Sequence, residues 1–362
     1  MSTLRRYLRR EILIATLFLF VLLVTALAFF DLINELGDVG RGGRTLSSAF
    51  LYVALRLPSR IYEMAPVAAL IGTLYVLARM VSSSELTVMR ASGMSLAQVS
   101  LAIFQVGIPI ALATFLAGEF VAPQAERLAQ TARAVHRSGG QQMITQQFSS
   151  GFWFKEQYTF ANIRAATADH VLMGVRLYEF DNAMRLQRIR SAARGIFSED
   201  DNTWLLDDVE TTEISSGSRT LVYSDPSYVW KTVLRPSILT VFQIPPEQLE
   251  IKTLFDNISI LEKSEQPTSR FEIALWIKLV YPLNVFVMMF LALPFSQSQR
   301  RQGGLGFRLF VGSMLGITFL LLGRLFSSLG VLNNWPPLTS ALAPTIVFLG
   351  MASALLWWQE RR

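Results

Sequence analysis

Apolar and polar positions are segregated along this chain rather than alternating throughout. Ile12 to Phe30 carries no charge, and at about 1.5 Å per residue such a run crosses a hydrocarbon core of about 30 Å. Comparable runs recur around Tyr62 to Leu77, Ala91 to Gly118, Leu279 to Gln299, Leu309 to Leu332 and Leu338 to Trp358. The pattern predicts six transmembrane helices, three on each side of a water-facing segment. The first run has no small-x-small cleavage signal after Phe29 and Phe30, so it is expected to remain as an anchor.

Between Gly118 and Phe271 the texture changes. Acidic residues outnumber basic ones and no run is long enough to span a bilayer. A helical pattern from Glu119 through His136 continues the third span, and short strand signals follow. They fall at Phe152 to Phe154, Tyr158 to Arg164, Val171 to Phe180, Leu186 to Arg190, Trp204 to Val209, Thr220 to Tyr223 and Tyr228 to Val233. Asp181-Asn182 and Glu199 through Asn202 supply turns, as in an antiparallel sandwich or jelly roll, though the alternation is irregular. The predicted fold is a membrane α-helical bundle, three spans plus three, with an inserted all-β domain. Its parts are 1–118 (spans one to three), 119–271 (the β domain) and 272–362 (spans four to six).

Composition agrees: 51% of the 362 residues are apolar and 17% charged, with mean hydropathy +0.37. There is no cysteine, which excludes disulfides and thiolate metal sites. The net charge of +6 sits in short loops beside the spans, where basic residues serve topology, so a nucleic-acid partner is not expected. Placing the N-terminus inside puts eleven arginines in inner segments (5, 6, 9, 10, 79, 90, 300, 301, 308, 361, 362) against five in outer loops (41, 44, 56, 60, 324). Both termini are therefore expected inside and the β domain outside.

The inner loop between spans two and three, about residues 82–93, reads as a short helix. Serines precede Glu85, whose carboxylate complements a helix N-terminus, and Gly93 ends it. Leu86, Val88 and Met89 beside Glu85 and Arg90 suit a helix that docks into a groove on a partner, and equally an ordinary loop helix. No Gly-x-x-x-x-Gly-Lys-Ser/Thr motif is present, so any ATP is hydrolysed by another chain. Basic residues near the outer face (Arg41, Arg44, Arg56, Arg60, Lys278 and Arg324) could meet a phosphate or act as interfacial anchors. Glu63 is expected to pair with Arg60. Gly312 and Gly316 permit close approach of another helix, and a permease partner would suit them. His136 and His170 have no neighbours at ligand or catalytic spacing, so no metal and no catalytic residue is expected.

Ser84-Glu85-Leu86-Thr87-Val88-Met89-Arg90-Ala91-Ser92-Gly93 resembles the coupling-helix signature of the LptF/LptG family, permease subunits of the bacterial lipopolysaccharide exporter. Gly118 through Glu126 and Trp276-Ile277-Lys278 through Pro294-Phe295 resemble that family's third-span exit and fourth span. The likeness covers nearly the whole chain and is closer to the LptG branch than to LptF. It implies a bacterial inner-membrane, multi-pass protein with a periplasmic β-jelly-roll. It also implies an LptF-like permease as heterodimer partner, an LptB-like ATPase dimer using ATP and Mg, and LptC-like and LptA-like periplasmic proteins. This chain itself would bind no cofactor. Glu85, Leu86, Met89 and Arg90 would couple to the ATPase, and lipopolysaccharide would enter a cavity lined by spans one, two and five. Arg41, Arg44, Arg60, Lys278 and Arg324 are the candidate lipopolysaccharide contacts. The chain departs from the family at the outer end of span one, where Ala28, Phe29, Phe30 and Asp31 stand in place of a frequent basic residue. A membrane sensor or scaffold and an intramembrane lipid-modifying enzyme are the rival readings.

Overall fold

A computed structural model describes residues 2–37, 39–40, 45–137, 144–167, 171–199, 201–214, 220–232, 234–236, 245–263, 266–297 and 304–361. Among the described residues, six helices are long and apolar enough to cross a membrane: Thr3–Leu36, Leu46–Ser82, Leu96–Gln130, Ser269–Phe295, Leu305–Leu332 and Pro337–Gln359. They belong to α1 (Ser2–Leu36), α2 (Leu46–Ser82), α4 (Leu96–Leu116) continuing into α5 (Ala122–Arg137), α7 (Ser269–Gln297), α8 (Leu305–Leu332) and α9 (Pro337–Glu360). A seven-residue helix, α3 (Glu85–Ala91), joins α2 to α4, and α6 (Ile251–Lys263) precedes α7.

The second span is the centre of the bundle. From Met64 to Leu74 every residue of α2 is buried, because α1, α4, α7 and α8 all pack on it. Small residues set those distances. A Cβ at Gly72 would lie 2.6 Å from Thr16 Cα, so α1 and α2 touch backbone to backbone there. Gly312 and Gly316 of α8 do the same work against Leu74 and Val67 of α2, each leaving 2.6 Å to a side-chain carbon. Their four-residue spacing therefore serves a helix of this same chain and not a separate permease. α1 and α8 flank α2 without packing extensively on each other.

The inserted domain is a six-stranded antiparallel sheet in chain order, β1 (Ile144–Glu156), β2 (Thr159–Thr167), β3 (Val171–Phe180), β4 (Leu186–Ser198), β5 (Thr203–Ile214) and β6 (Thr220–Trp230). The two strand signals at 220–223 and 228–233 are one strand running through Pro226. Asp181 holds the β3–β4 turn by accepting the amides of Arg185 (2.8 Å) and Ala183 (2.9 Å). Those two bonds keep its carboxyl below the usual carboxylate range.

The irregular alternation has a structural cause. Successive registers bring Arg164, Gly174, Ala193, Asp208 and Pro226 into one line across β2 to β6. Gly174 (φ 64°) and Asp208 (φ 52°) lie in the left-handed region on that line. Buried positions change parity as they cross it, from Leu172 to Val175, Ala192 to Gly195 and Leu206 to Val209. A reversal of the pleat at one residue keeps positions three apart on the same face, and it bends the sheet. The apolar face so formed carries fully buried Ile163, Leu172, Leu177 and Trp204. Among the described residues, Leu234 and Ile260 are the apolar cover from outside the strands, so the sheet supplies most of its own cover. Trp204 Nε1 donates to the Leu234 carbonyl (2.7 Å), which satisfies the one polar group its burial would orphan.

Replacing Gly72 by Ala is expected to force α1 from α2 and cost roughly 1–3 kcal/mol, the usual penalty for overpacking. Gly350→Ala, whose Cβ would meet nothing within 4 Å, serves as the control. Thermal unfolding of the detergent-solubilised chain should show a lower Tm for the first and none for the second.

Candidate functional site

Charges concentrate at the end of the bundle that carries the sheet, and most are paired across helices. Arg60 on α2 donates two hydrogen bonds to Asp31 at the end of α1 (2.7 and 2.8 Å) and one to Glu63 (2.8 Å). Glu63 in turn accepts from Arg324 on α8 (2.7 Å). These four residues form a continuous ladder over α1, α2 and α8. The bidentate Asp31–Arg60 pair is its strongest rung, with both side chains mostly buried. Arg324 is the open rung, its side chain 74% exposed. Asp31 thus explains the departure at the end of the first span: an acid there clasps Arg60.

A second joint lies where the chain leaves span three. The helix widens to a π-turn at Ala117–Val121, which turns Glu119 toward α7. Glu119 accepts from Lys278 Nζ (2.8 Å) and from the amide of Ile251, the first residue of α6 (2.8 Å). One carboxylate therefore answers both a buried ammonium and a helix N-terminus. Beneath it, the Tyr62 and Tyr281 rings stack with centroids 3.9 Å apart, and a Cβ at Gly118 would run into the Tyr62 ring. A third pairing joins α2 to α5, with Arg56 3.7 Å from buried Glu126, which also accepts from Gln130 (2.9 Å).

Of the candidate phosphate contacts, the structure separates three. Lys278 is buried on Glu119 and has no open face for a ligand, because a lysine at membrane depth without a counter-charge is costly. Arg60 is saturated by two carboxylates, leaving Arg324 as the accessible one. Arg41 and Arg44 lie outside the described residues.

At the opposite end, α3 packs on α2, with Leu86 and Met89 buried in the same core as Leu8, Leu77 and Val99. Those two residues, expected on the docking face, anchor the helix instead. Its outward face is Thr87, Val88 and Arg90, with Val88 62% exposed. Ser84 adopts a left-handed conformation (φ 64°) and makes no side-chain cap, contrary to the serine-cap expectation. Ser83 Oγ and Tyr7 Oη both donate to Glu85, at 3.0 and 3.2 Å. Gly93 (φ 92°) ends the helix as expected, with the amides of Met94 and Gly93 donating to Met89 and Arg90 carbonyls.

A cavity of about 700 Å³ opens among α2, α7, α8 and α9 under the short turn Pro246–Gln248. Gly118 and Ala122 of the third span also line it, as do Arg60, Glu63 and Arg324 of the ladder. No group of three metal-ligating side chains occurs among the described residues.

A profile described as lipopolysaccharide export system permease LptF/LptG matches residues 6–358.

The chain belongs to the LptF/LptG family.

The lipopolysaccharide export system permease protein LptG of Escherichia coli (strain K12) is 32% identical over 355 residues, 98% of each chain. The protein of that name from Haemophilus influenzae is 30% identical over 357 residues, covering 99% of this chain and 98% of its own length. LptF/LptG membership and six apolar spans make this a multi-pass inner-membrane protein.

The ladder is not uniform in strength. Arg60→Met should strand Asp31, while Glu63 keeps Arg324, and lower stability by roughly 1–3 kcal/mol, whereas Arg324→Ala, with its exposed side chain, should cost under about 1 kcal/mol. Asp31→Asn placed on the Arg60→Met background should recover part of the loss, measured by thermal unfolding in one detergent.

Proposed function

We propose that the chain is a permease subunit of an ABC-type exporter that lifts lipopolysaccharide from the inner membrane and hands it to a periplasmic protein bridge. The observation that carries this reading is similarity over 98% of the chain to proteins named as lipopolysaccharide export permeases. The exposed apolar sides of α1 (Phe18, Val21, Phe29) and α8 (Phe310, Leu321, Leu325) support it. They bracket α2 and leave a face suited to a second permease and to acyl chains, with the charge ladder at its rim. A cargo with several acyl chains and a charged headgroup needs such a route, since its tails cannot be carried through water.

In this reading the sheet end is periplasmic and both termini are cytoplasmic. An LptF-like permease completes the membrane unit, and LptC-like and LptA-like proteins receive the cargo from the β domain. An LptB-like ATPase dimer consumes ATP and Mg, while this chain supplies no catalytic group. The α3 helix is the docking element, with Glu85, Val88 and Arg90 at the contact and Leu86 and Met89 transmitting the push into the bundle core. Because those two are buried in the core that α3 shares with α2, displacement of α3 is passed to the second span.

Affinity purification of the tagged chain in mild detergent is expected to recover a Walker-motif ATPase and a second six-span permease, with lipopolysaccharide-dependent ATPase activity. Glu85→Arg should release the ATPase and keep the permease, while Leu86→Ala should lower both stability and coupling. Recovery of the chain alone, or with a kinase and no ATPase, sinks the exporter reading.

A further inference from the structure

The cavity among spans two to six differs in kind from the exposed face of α1, α2 and α8. Along α2 its wall runs from Arg56 to Pro66, about 15 Å of helix. Its deep end is mostly apolar, formed by Pro66, Phe319, Leu320 and Pro344. Its upper end is polar, with Arg56, Ser59, Gln248, Arg324, Ser327 and Ser328. The volume of 700 Å³ lies within the range of about 300–1,000 Å³ typical of small-molecule sites.

The lining also holds polar atoms that the protein leaves unanswered. Tyr62 Oη and Gln248 Oε1 are buried with no hydrogen-bond partner among the described residues, and Arg56 Nε, also without a hydrogen bond, is met by the Glu126 carboxylate at 3.7 Å. Asn284 uses its oxygen to accept from Thr345 (2.6 Å). At membrane depth such groups carry a cost of a few kcal/mol each unless something fills the space and meets them. At the mouth stand a cation with an open face, Arg324, and an exposed carboxylate, Glu247. A ligand that matches this layout has an apolar chain, oxygen-rich linkage atoms, a phosphate and a cationic group.

We propose that the cavity is a binding site for one zwitterionic glycerophospholipid of the surrounding membrane, separate from the cargo route. One acyl chain occupies the apolar end against Phe319 and Pro344. The ester and phosphate oxygens accept from Tyr62, Arg56 and Arg324. The ammonium group sits by Glu247. A resident lipid of this kind fills the space between α8 and its neighbours, so that α8 is held against α2 by Gly312 and Gly316 at one level and through the lipid at the other.

Gly323 offers a direct test, because it lines the cavity and a Cβ there would meet nothing within 4 Å. Gly323→Leu fills the cavity without striking backbone, and Gly350→Leu, at a position equally open but outside the cavity, is the matched control. The full-length chain is purified with its bound partners, stripped of lipid, offered phosphatidylethanolamine or phosphatidylglycerol, and examined by native mass spectrometry. One phosphatidylethanolamine per chain is expected in the wild type and in Gly350→Leu, reduced at least tenfold in Gly323→Leu at unchanged Tm. Glu247→Gln should abolish the preference over phosphatidylglycerol. Should Gly323→Leu fail to fold, Ser327→Leu fills the same cavity from the next turn and is read in the same way. Absence of any retained phospholipid, which would mean a water-filled cavity, overturns the proposal. Equal retention in the filled variant, or a preference for phosphatidylglycerol, does so too. Loss of bound lipopolysaccharide in place of phospholipid would assign the cavity to the cargo route. None of these outcomes touches the exporter reading, which stands or falls on the ATPase recovered with the chain.

Discussion

A charged side chain at the edge of a bilayer core costs several kcal/mol unless an opposite charge and hydrogen bonds meet it. In this chain that constraint is met between helices rather than within them. Arg60 reaches Asp31 on another span, Arg324 reaches Glu63, Lys278 reaches Glu119, and Arg56 approaches Glu126. Each pair ties two elements at the sheet end of the bundle, and α2 or α7 supplies one partner every time. The pairs therefore do more than neutralise charge. They fix where α1, α5 and α8 stand relative to the buried second span, and the Glu119 joint ties the π-turn to α6 and α7.

The number of spans was legible because it depends on local hydropathy alone, whereas the second and fourth helices begin 16 and 10 residues before their apolar runs, at Leu46 and Ser269, where charged and polar residues paired against other helices hide the span. The Arg60–Glu63 pair was legible too, since three residues apart on a helix brings side chains together. Asp31–Arg60 and Lys278–Glu119 were not, because they join positions 29 and 159 residues apart and local spacing carries no such information. Leu86 and Met89 show the limit from the other side. Three apolar residues in a seven-residue helix cannot all face a partner, and the sequence alone did not say which of Leu86, Val88 and Met89 turns inward. The bundle decides that, and it takes the two that share a face at i and i+3. Arg41 and Arg44 fall outside the described residues and add nothing to either account.

The β domain makes the same point in a different geometry. A strand predictor built on period two expects one parity per strand, and β3, β4 and β5 each change parity once. Gly174 and Asp208 are the visible marks of that change, but a lone Gly or Asp in a strand signal has many other readings. What makes them a single feature is register, which places both on one line with Ala193 and Pro226. Pro226 fits there because β6 is an edge strand, with no ladder bond to lose on its open side. The crease lets a six-stranded sheet fold over its own apolar face without a second sheet.

The two arrangements meet at Arg324. Its partner Glu63 already serves Arg60, so the ladder shares two carboxylates between two guanidinium groups, and Arg324 holds the weaker share. An anion arriving from either side of α8 would compete for Arg324 without disturbing the bidentate Asp31–Arg60 rung. The same residue lines the cavity behind α8 and stands at the rim of the α1–α2–α8 face before it. A charge on one side of α8 can therefore change the electrostatics met on the other, while α1 and α2 stay clasped. One rung is therefore closed and bidentate and the other open to solvent, and the buried second span carries a partner in both.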